Sequence, residues 1–479
     1  MKRIIYILVF TTILLSLYHC RPDRVYIENS DATLRFSLDT VYFDTVFTTI
    51  GTSTRSFRIY NPHSRFIMID EIHLAGGEQS VFRINVDGSP GTRFEGYEIA
   101  PNDSMFVFVE ATLDPNMSPD ILRIQDSITF SVNGNLQDVD LMAWGQDVHM
   151  KKGEHITEPT VWTADKPYLI IDSLVIDTFQ SLTISEGARI HMHSNAFFKV
   201  IGTIEILGDA DNPVIIQGDR LEEFYSDKPG QWGFIFFQYP STANVINHAK
   251  IINGTVGLYV NSPIYGEEPV LKISNTEINQ MSYDGILAQG TSIEAYNTVI
   301  GDCGNSCVEL IYEGSYRFNH CTFANYWRTF YSNRKTPAVF IANYVPIYDS
   351  VQDGYVPLPS DIEEATFTNS IIYGSRNNEI LISRADEGTL NYTFDHLMAR
   401  LDEEVYNFYT DPNFKSIYVN QDPMFDSLRV SYELDSLSPA INAGDIGFAT
   451  EAPLDKNGNS RLRPSDQGPD LGAYEFISE

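Results

Sequence analysis

Basic residues are scarce in this 479-residue chain, which has 32 lysines and arginines against 64 aspartates and glutamates, a formal net charge of −32. A chain this acidic repels nucleic acid and anionic lipid headgroups, so we expect no nucleic acid partner. Neutral and basic glycans are not repelled. An acidic surface is also a common device for solubility, and the charge therefore excludes partners without selecting one.

Cysteine is also rare, with four residues in the whole chain. If Cys20 is lipidated, as argued below, Cys303, Cys307 and Cys321 remain. Three thiols allow at most one disulfide within the chain, and Cys303 could pair with Cys307 in an oxidising compartment. No histidine lies beside them at zinc spacing, so buried free thiols are the simpler prediction.

Motifs that would identify a cofactor or a metal are missing. The sequence has no glycine-rich phosphate loop, no Gly-x-Ser-x-Gly elbow and no Walker motif, and we expect no cofactor. His191 and His193 alternate with apolar neighbours and should point outward from one strand, but no third ligand is identifiable beside them. We therefore expect no metal site.

Residues 1–20 have the pattern of a targeting segment. Lys2 and Arg3 precede an apolar run, Ile4 to Leu17, that is too short for a comfortable membrane span, and Cys20 follows. This pattern resembles a bacterial lipoprotein signal, in which the cysteine is acylated and becomes the mature N-terminus. The resemblance implies a cell-envelope protein held in the outer membrane by a lipid anchor, on either face, with residues 21–30 as a tether.

Residues 31–148 alternate apolar and polar side chains over about seven short segments, separated by turn formers such as Asn61-Pro62 and Asp87-Gly88. This pattern predicts an immunoglobulin-like β-sandwich. Tyr60-Asn61-Pro62 and Leu141-Met142-Ala143-Trp144-Gly145 resemble bacterial relatives of the sandwich domains of cilium and centrosome proteins. Such domains usually act as spacers or docking modules.

Residues 249–332 repeat with a period near 22 and contain several short strands per period. In three successive periods a strand ends in an asparagine, at Asn253, Asn275 and Asn297. A fixed period of this length predicts a solenoid of parallel β-coils, with a β-sandwich as the alternative. Because asparagine tolerates left-handed backbone angles and bonds to its own copies, we expect the three side chains to stack in one column.

The coils should occupy residues 165–437, with an insertion at 333–364 and a C-terminal capping segment at 438–479. Within this region, Pro229-Gly230-Gln231-Trp232-Gly233 and the ending, Ser438 to Asp445 and Asp470 to Glu475, resemble a right-handed parallel β-helix family of uncharacterised bacterial envelope lipoproteins. The wider fold includes polysaccharide lyases and hydrolases as well as non-catalytic adhesins, so the resemblance does not select a function.

The ending also predicts a structural contact. A β-helix leaves unpaired strand edges that must be covered, and arginine binds carboxylates well when partly buried. We expect Arg461 to pair with Asp445, Asp470 or Glu475 and to close the tail over the last coil, with Tyr474 packed beneath it.

Titratable residues in successive coils are the catalytic candidates. Hydrolases of this fold use paired carboxylates, and lyases use a basic group for proton abstraction. Nothing in the spacing requires these residues to converge, and a solvated charged face is the simpler interpretation. The candidates are Asp284, Asp302, Glu309, Arg317, His320 and Arg328.

Aromatic residues in the interruptions between coils are the candidates for ligand binding, because aromatic rings stack on sugar rings. The favoured function is a binding or scaffolding surface, with a glycan as the expected ligand. The alternatives are a polysaccharide lyase or glycoside hydrolase, and a structural envelope assembly protein. The candidates are Phe224, Tyr225, Trp232, Tyr344, Tyr348 and Tyr355.

Overall fold

The computed structural model describes residues 24–30, 32–47, 54–112, 122–263, 268–327, 334–350, 353–405, 407–426, 431–463 and 467–477. The chain forms two compact units, Met1–Asp147 and Val148–Glu479. The predicted signal segment with Cys20, and the catalytic candidate Arg328, lie outside the described residues. Among the described ranges, we find no helix whose length and hydrophobicity would let it span a lipid bilayer.

The described part of the first unit contains ten strands and a short 3-10 helix, Gly77–Gln79. The strands are β1 (Arg35–Phe36), β2 (Thr40–Phe47), β3 (Arg55–Tyr60), β4 (Ile67–Leu74), β5 (Phe82–Val86), β6 (Ser89–Gly91), β7 (Arg93–Ile99), β8 (Ser104–Ala111), β9 (Leu122–Val132) and β10 (Asn135–Gln146).

These strands form two five-stranded sheets that share one core. The first has the order β1-β3-β8-β5-β6 and is antiparallel. The second has the order β2-β10-β9-β4-β7, with β2 and β10 parallel and the rest antiparallel. The alternation in the sequence places every second side chain in the core. Phe57 and Phe130, one from each sheet, have ring centroids 6.4 Å apart.

The described part of the second unit contains a large, mainly parallel sheet and a separate two-stranded sheet. Its strands are β11 (His149–Ile156), β12 (Thr160–Trp162), β13 (Tyr168–Ile176), β14 (Ser181–Ser185), β15 (Arg189–Met192), β16 (Phe197–Val200), β17 (Thr203–Leu207), β18 (Val214–Gly218), β19 (Ile235–Gln238), β20 (Asn244–Asn247), β21 (Ala249–Ile252), β22 (Leu258–Asn261), β23 (Leu271–Ser274), β24 (Glu277–Asn279), β25 (Ile286–Tyr296), β26 (Val299–Gly301), β27 (Val308–Asn319), β28 (Thr322–Asn325), β29 (Val339–Ala342), β30 (Tyr344–Asp349), β31 (Gly354–Pro359), β32 (Ile362–Gly374), β33 (Ile380–Ser383), β34 (Thr393–Ala399) and β35 (Phe414–Val419). A 3-10 turn, Glu223–Tyr225, and a four-residue helix, α1 (Ile446–Ala449), complete the described elements.

Through most of this sheet each strand pairs in parallel with the strand one coil further along the chain, which is the arrangement of a parallel β-helix. The pairings form three rows. Row A contains β12, β14, β17, β20, β23 and parts of β25, β27, β32, β34 and β35. Row B contains β15, β18, β21, β24, β26, β28 and the last parts of β32, β34 and β35. Row C contains β16, β19, β22, β29, β33 and the first parts of β25 and β27.

The repeat prediction is confirmed for the coil architecture and wrong for one asparagine. Asn275 and Asn297 follow row A strands, and the Asn297 amide donates to Asn275 Oδ1 at 3.0 Å. Asn253 instead follows the row B strand β21 and donates to Gln280 at 3.1 Å. The interruption after Asn261 lengthens that coil to 27 residues, with Lys250 opposite Glu277, so a fixed period of 22 joins two different corners.

The coils also begin earlier than predicted. β11 pairs with β13 from His149 onward, so the segment before residue 165 already belongs to the sheet. The described coil strands end at Val419. Inward side chains of all three rows form one continuous apolar core, which includes Cys303, Cys307 and Cys321 as buried free thiols.

The C-terminal tail forms the predicted arginine contact but covers a different surface. Arg461 Nη1 donates to Glu475 Oε1 at 2.7 Å, and both side chains are buried, as is Tyr474. The tail lies along the outward side of row B rather than over the last coil, because Tyr474 packs on Val299, an outward-facing row B residue. Gly301, beside it, leaves room for the Tyr432 ring: a Cβ there would lie 2.7 Å from that ring.

Candidate functional site

Row C is the row that the insertions surround. In the described part of the chain, five connections of nine residues or more each begin or end at a row C strand: 219–234, 262–270, 384–392, 326–338 and 343–361. The predicted insertion at 333–364 corresponds to the last two, and within it β30 and β31 form an antiparallel hairpin. Insertions in solenoids usually border the functional face, so the outward side of row C is the candidate functional face.

The outward side of row C carries a column of large, half-buried side chains, all but one of which are aromatic or aliphatic. In-register pairing aligns Phe236, Tyr259, Leu287, Glu309 and Phe340 in successive coils. The Phe236 and Tyr259 rings stack with centroids 4.7 Å apart. We call these five residues the outer column. Glu309 is its one charged member.

A second outward column lies beside the first and carries neutral amides. Gln238 pairs with Asn261 in the next coil, and Gln289 occupies the coil after that. Asn261 Nδ2 donates to the Tyr259 hydroxyl at 3.4 Å, and that hydroxyl donates to Gln289 Oε1 at 3.4 Å. Aromatic faces beside amide donors and acceptors are the groups that recognise polyhydroxylated ligands.

Glu309 lies close to a second carboxylate and shares a hydrogen-bond donor with it. Asp284 lies at the corner before β25, fully buried, and its Oδ1 accepts from the Ser306 amide at 2.9 Å. The Asn305 Nδ2 atom donates to Asp284 Oδ1 at 2.9 Å and to Glu309 Oε1 at 2.7 Å, so these two oxygens lie under about 6 Å apart. The Asp284 Oδ2 atom is also buried, and none of the described residues forms a hydrogen bond with it.

Both carboxyls of this pair hold their protons more tightly than usual. Burial raises the pKa of Asp284 well above its ordinary value, and the neighbouring Glu309 charge raises it further. Burial also raises the pKa of Glu309. When two desolvated carboxylates lie this close, ionising both has a high electrostatic cost, so one of them tends to keep its proton. Acid catalysis uses a carboxyl group of this kind. Only Glu309 of the two is accessible to a ligand, because Asp284 is fully buried.

The remaining catalytic candidates do not join this pair. Arg317 lies on row A and bonds Glu364 at 3.0 Å. His320 is buried at the corner between rows A and B, where its Nε2 lies 2.9 Å from the Asn369 amide. Asp302 is buried at the corner after β26. These three side chains do not converge on one face, because the coil turns between them. The interpretation as a solvated charged face is wrong for Asp302 and His320, which are buried.

The aromatic candidates divide into buried and exposed groups. Trp232 is 1% exposed and donates from Nε1 to Ile252 O, so its assignment as a ligand-binding residue is wrong. Its size and apolar character place it in the core. Tyr225 is half-buried, with the Arg220 guanidinium 4.0 Å from its ring, whereas Phe224 is 68% exposed. Both remain beside row C, in the connection that precedes β19.

The hairpin tyrosines lie near the same face. Tyr348 and Tyr355 are exposed, and Tyr344 bonds Ser383 of row C at 2.9 Å. A cavity of about 360 Å³ lies between the hairpin and the segment after β33, with Arg384 and Asp386 among its lining residues. Tyr344 and Tyr355 line this cavity too, so an aromatic, polar recess borders row C at its later coils.

Apart from Glu309, the outer column was missed by the sequence analysis, and so was Asn305. The signal was present: in Leu258-Tyr259-Val260-Asn261 the alternation buries the aliphatic residues and turns the aromatic and amide residues outward. A large aromatic residue at an outward position of several strands marks an unusual face. The contribution of Asn305 depends on the corner geometry and has no sequence signature.

Comparison with known proteins gives no family. No protein-family model matches the sequence, and no curated protein does. A family 123 glycoside hydrolase from Clostridium perfringens is similar at 12% identity and a TM-score of 0.20, over 27% of this chain and 30% of that chain. The catalytic unit of the GH87 alpha-1,3-glucanase from Streptomyces thermodiastaticus is similar at 11% identity and a TM-score of 0.21, over 72% and 83%.

The Agl-KA catalytic domain is similar at 8% identity and a TM-score of 0.23, over 73% of this chain and 81% of that domain. The chain thus spans less than a third of the length of the first of these structures. At these TM-scores the similarities assign neither a family nor an activity.

Proposed function

We propose that this chain is a glycoside hydrolase that binds a neutral polysaccharide along the outward side of row C and cleaves it at Glu309. The observation that carries the proposal is the position of Glu309. It stands inside the outer column, where a ligand stacked on Tyr259 would pass, and it shares Asn305 with the buried Asp284.

The chemistry follows from the raised pKa of Glu309. A carboxyl that keeps its proton closer to neutral pH can donate it to the glycosidic oxygen while the bond from that oxygen to the sugar C1 breaks. A water molecule then adds to C1 and gives a proton to the Glu309 carboxylate. Asn305 positions Glu309 and is itself held by Asp284, and burial keeps the pKa of Glu309 raised. Asp284 itself does not touch the substrate.

The charge of the surface supports a neutral substrate. Lys199 precedes the outer column at its first coil, and Glu309 is the charged residue within the column. The amide column offers donors and acceptors without a net charge. Uronate polymers would need compensating arginines or cations along row C, and the charged pair Arg317–Glu364 lies on row A instead.

The test is a product analysis with the full chain on a panel of neutral polysaccharides that represent α- and β-linked glucans and hexosamine polymers. Glu309→Gln should reduce the rate of reducing-end formation by at least about a hundredfold and retain binding. Glu294→Gln, on row A in the neighbouring strand β25, is the matched control and should retain the rate. Equal rates for the wild type and the Glu309→Gln variant would overturn the assignment.

A second candidate is a binding surface without catalysis, favoured by the full burial of Asp284, which leaves one carboxylate accessible. Under this alternative the outer column binds the glycan and the carboxyl pair is structural. The same experiment separates the two: binding by the wild type with no product on any polymer would support the non-catalytic surface.

We propose that the coils form a right-handed β-helix and that the first unit is immunoglobulin-like. For cell location, we propose that the chain is an outer-membrane lipoprotein acylated at Cys20. The support is the pattern of charged, apolar and cysteine residues in positions 2–20. Metabolic labelling with a fatty acid, compared between the wild type and Cys20→Ala, is the test. Label in both proteins would contradict the anchor.

A further inference from the structure

A second recess lies at the corner between rows B and C in the last coils. It is a cavity of about 620 Å³, within the size range of small-molecule sites. Its lining combines aromatic rings, amides, one cation and three carboxylates: Tyr326, Tyr373, Asn377, Arg400, Leu401, Asp402, Glu403, Asn420 and Asp422. The sequence analysis singled out none of these residues.

The carboxylates of this cavity are not neutralised by neighbouring cations. Arg400 donates to Gly374 O at 2.8 Å and lies 5.8 Å from the centre of the Tyr373 ring, which orients it away from an ion pair. Within the described residues, no lysine or arginine forms a salt bridge with Asp402, Glu403 or Asp422. The cavity therefore holds three acidic groups against one basic group and favours a cationic or neutral occupant.

A metal ion does not fit this arrangement. Among the described residues, no group of three or more histidines, cysteines, aspartates or glutamates is close enough to hold one. The three carboxylates surround a volume rather than converge on a point. A larger cation with its charge on one substituent can contact a carboxylate while the rest of the molecule fills the cavity.

The rest of the lining selects the type of organic cation. Tyr326 is half-buried, and burial together with the Asp422 charge raises its pKa, so its hydroxyl stays protonated and able to donate. Asn377 and the outer atoms of Arg400 supply further polar contacts beside the ring of Tyr373. Rings beside amides, hydroxyl and carboxylate groups match a sugar that carries an amine.

The cavity and the carboxyl pair lie along the same corner of the coils, and one ladder of corner hydrogen bonds connects residues of the two sites. Asn325 Nδ2 donates to Asn305 O at 3.2 Å, and the Ser375 amide donates to Asn325 O at 3.1 Å. Arg400 then bonds the neighbouring Gly374 carbonyl. Asn305 and Arg400 are thus three coil steps apart, about 14 Å at the spacing of paired strands, a distance of about three sugar units.

We propose that this cavity binds an amino sugar with a free amine, as a subsite three units from Glu309 on the same polymer. The subsite rests on the proposed function for its link to Glu309, but its binding of an amino sugar does not. The substrate would then be a glycan that is neutral where it contacts the outer column and carries an unacetylated hexosamine at this position.

The test is isothermal titration of the full chain with a glucosamine trimer. The fully N-acetylated trimer has the same sugar rings without the charge, and spermidine has the charge without the rings, so these two are the comparison ligands. The glucosamine trimer should bind, and the double variant Glu403→Gln/Asp422→Asn should weaken it about tenfold, as expected for two exposed charge contacts. Glu404→Gln, exposed and outside the lining, is the matched control and should leave the affinity unchanged.

The outcomes distinguish this subsite from the proposed hydrolysis. Equal affinity for the acetylated trimer, or equal affinity for spermidine, would overturn the amino-sugar assignment, because shape or charge alone would then explain binding. No binding by the glucosamine trimer would also overturn it. Glu309→Gln should retain trimer binding. A wild-type protein that binds the trimer but cleaves no polysaccharide would contradict only the proposed function. A wild-type protein that cleaves a polysaccharide but does not bind the trimer would contradict only the subsite.

Discussion

Arg461 Nη2 donates a hydrogen bond to Asn297 Oδ1 at 2.9 Å, joining two residues 164 positions apart. The same asparagine donates to Leu454 O at 2.7 Å. The tail is therefore bound to the asparagines at the corner between rows A and B. Asn369, one of the later residues of that corner, also donates to a tail carbonyl, that of Asp445, at 2.9 Å.

Replacing Arg461 tests this attachment. Arg461→Ala removes the buried cation that contacts the Glu475 carboxyl at 2.7 Å and leaves the more exposed Arg463 guanidinium at 3.7 Å. Breaking a buried pair costs about 3–5 kcal/mol of unfolding free energy. Denaturant unfolding should show this loss, and binding of a hydrophobic dye should increase because the apolar outward face of row B is uncovered. Arg189→Ala, at an exposed position of row B, is the control. Unchanged stability would show that the tail is dispensable.

The buried His320 should make the fold sensitive to acid. Burial and the nearby Arg461 guanidinium lower the pKa of His320 well below 6.5, so the unfolded chain binds this proton more readily than the folded protein does. Its contribution to stability is complete above about pH 6.5 and is lost as the pH falls below that value.

His320→Asn should remove part of this acid sensitivity. Asparagine suits the left-handed backbone at this position, where φ is 52°, and matches the asparagines of the same corner. Between pH 6.5 and 5 the variant should lose about 2 kcal/mol less stability than the wild type, measured by denaturation at each pH. The exposed His155→Asn is the control. Parallel pH profiles for the wild type and His320→Asn would contradict the assignment.

The corner column itself can be tested at Asn275. Its φ of 50° is unfavourable for alanine but accessible to glycine, and both variants lose the bonds to Asn247 and Asn297. Asn275→Ala should therefore be about 1–2 kcal/mol less stable than Asn275→Gly. Equal stabilities in chemical denaturation would indicate that the backbone relaxes at this corner.

Tyr259 tests the outer column independently of catalysis. Tyr259→Ala removes a ring that stacks on Phe236, and loss of one aromatic contact to a sugar should cost about 1 kcal/mol, or about fivefold in affinity. The affinity should be measured for the polysaccharide that gives the strongest signal on a glycan array. Tyr296→Ala, exposed at the end of a row A strand, is the control. Equal losses in both variants would argue against row C as the binding face.

The coil architecture follows from local features that can be read along the chain. Repeated apolar strands separated by asparagine and glycine corners specify stacked parallel coils, because each coil can bury its apolar side only against its neighbours. The buried pairing of Arg461 with Glu475 was likewise predictable from the chemistry of the ending. Trp232 shows the limit of such inference, since an aromatic residue in an interruption can equally belong to the core.

The sequence by itself determined the repeating strands, the acidic character and the presence of a packed tail. Only the tertiary structure decided which side chains meet. A fixed period placed Asn253 with Asn275, whereas an insertion of a few residues moved it to another corner. Asp284 and Glu309 meet through Asn305 because successive coils stack across sequence distances that vary with loop length, and strand pairing rather than spacing sets that register.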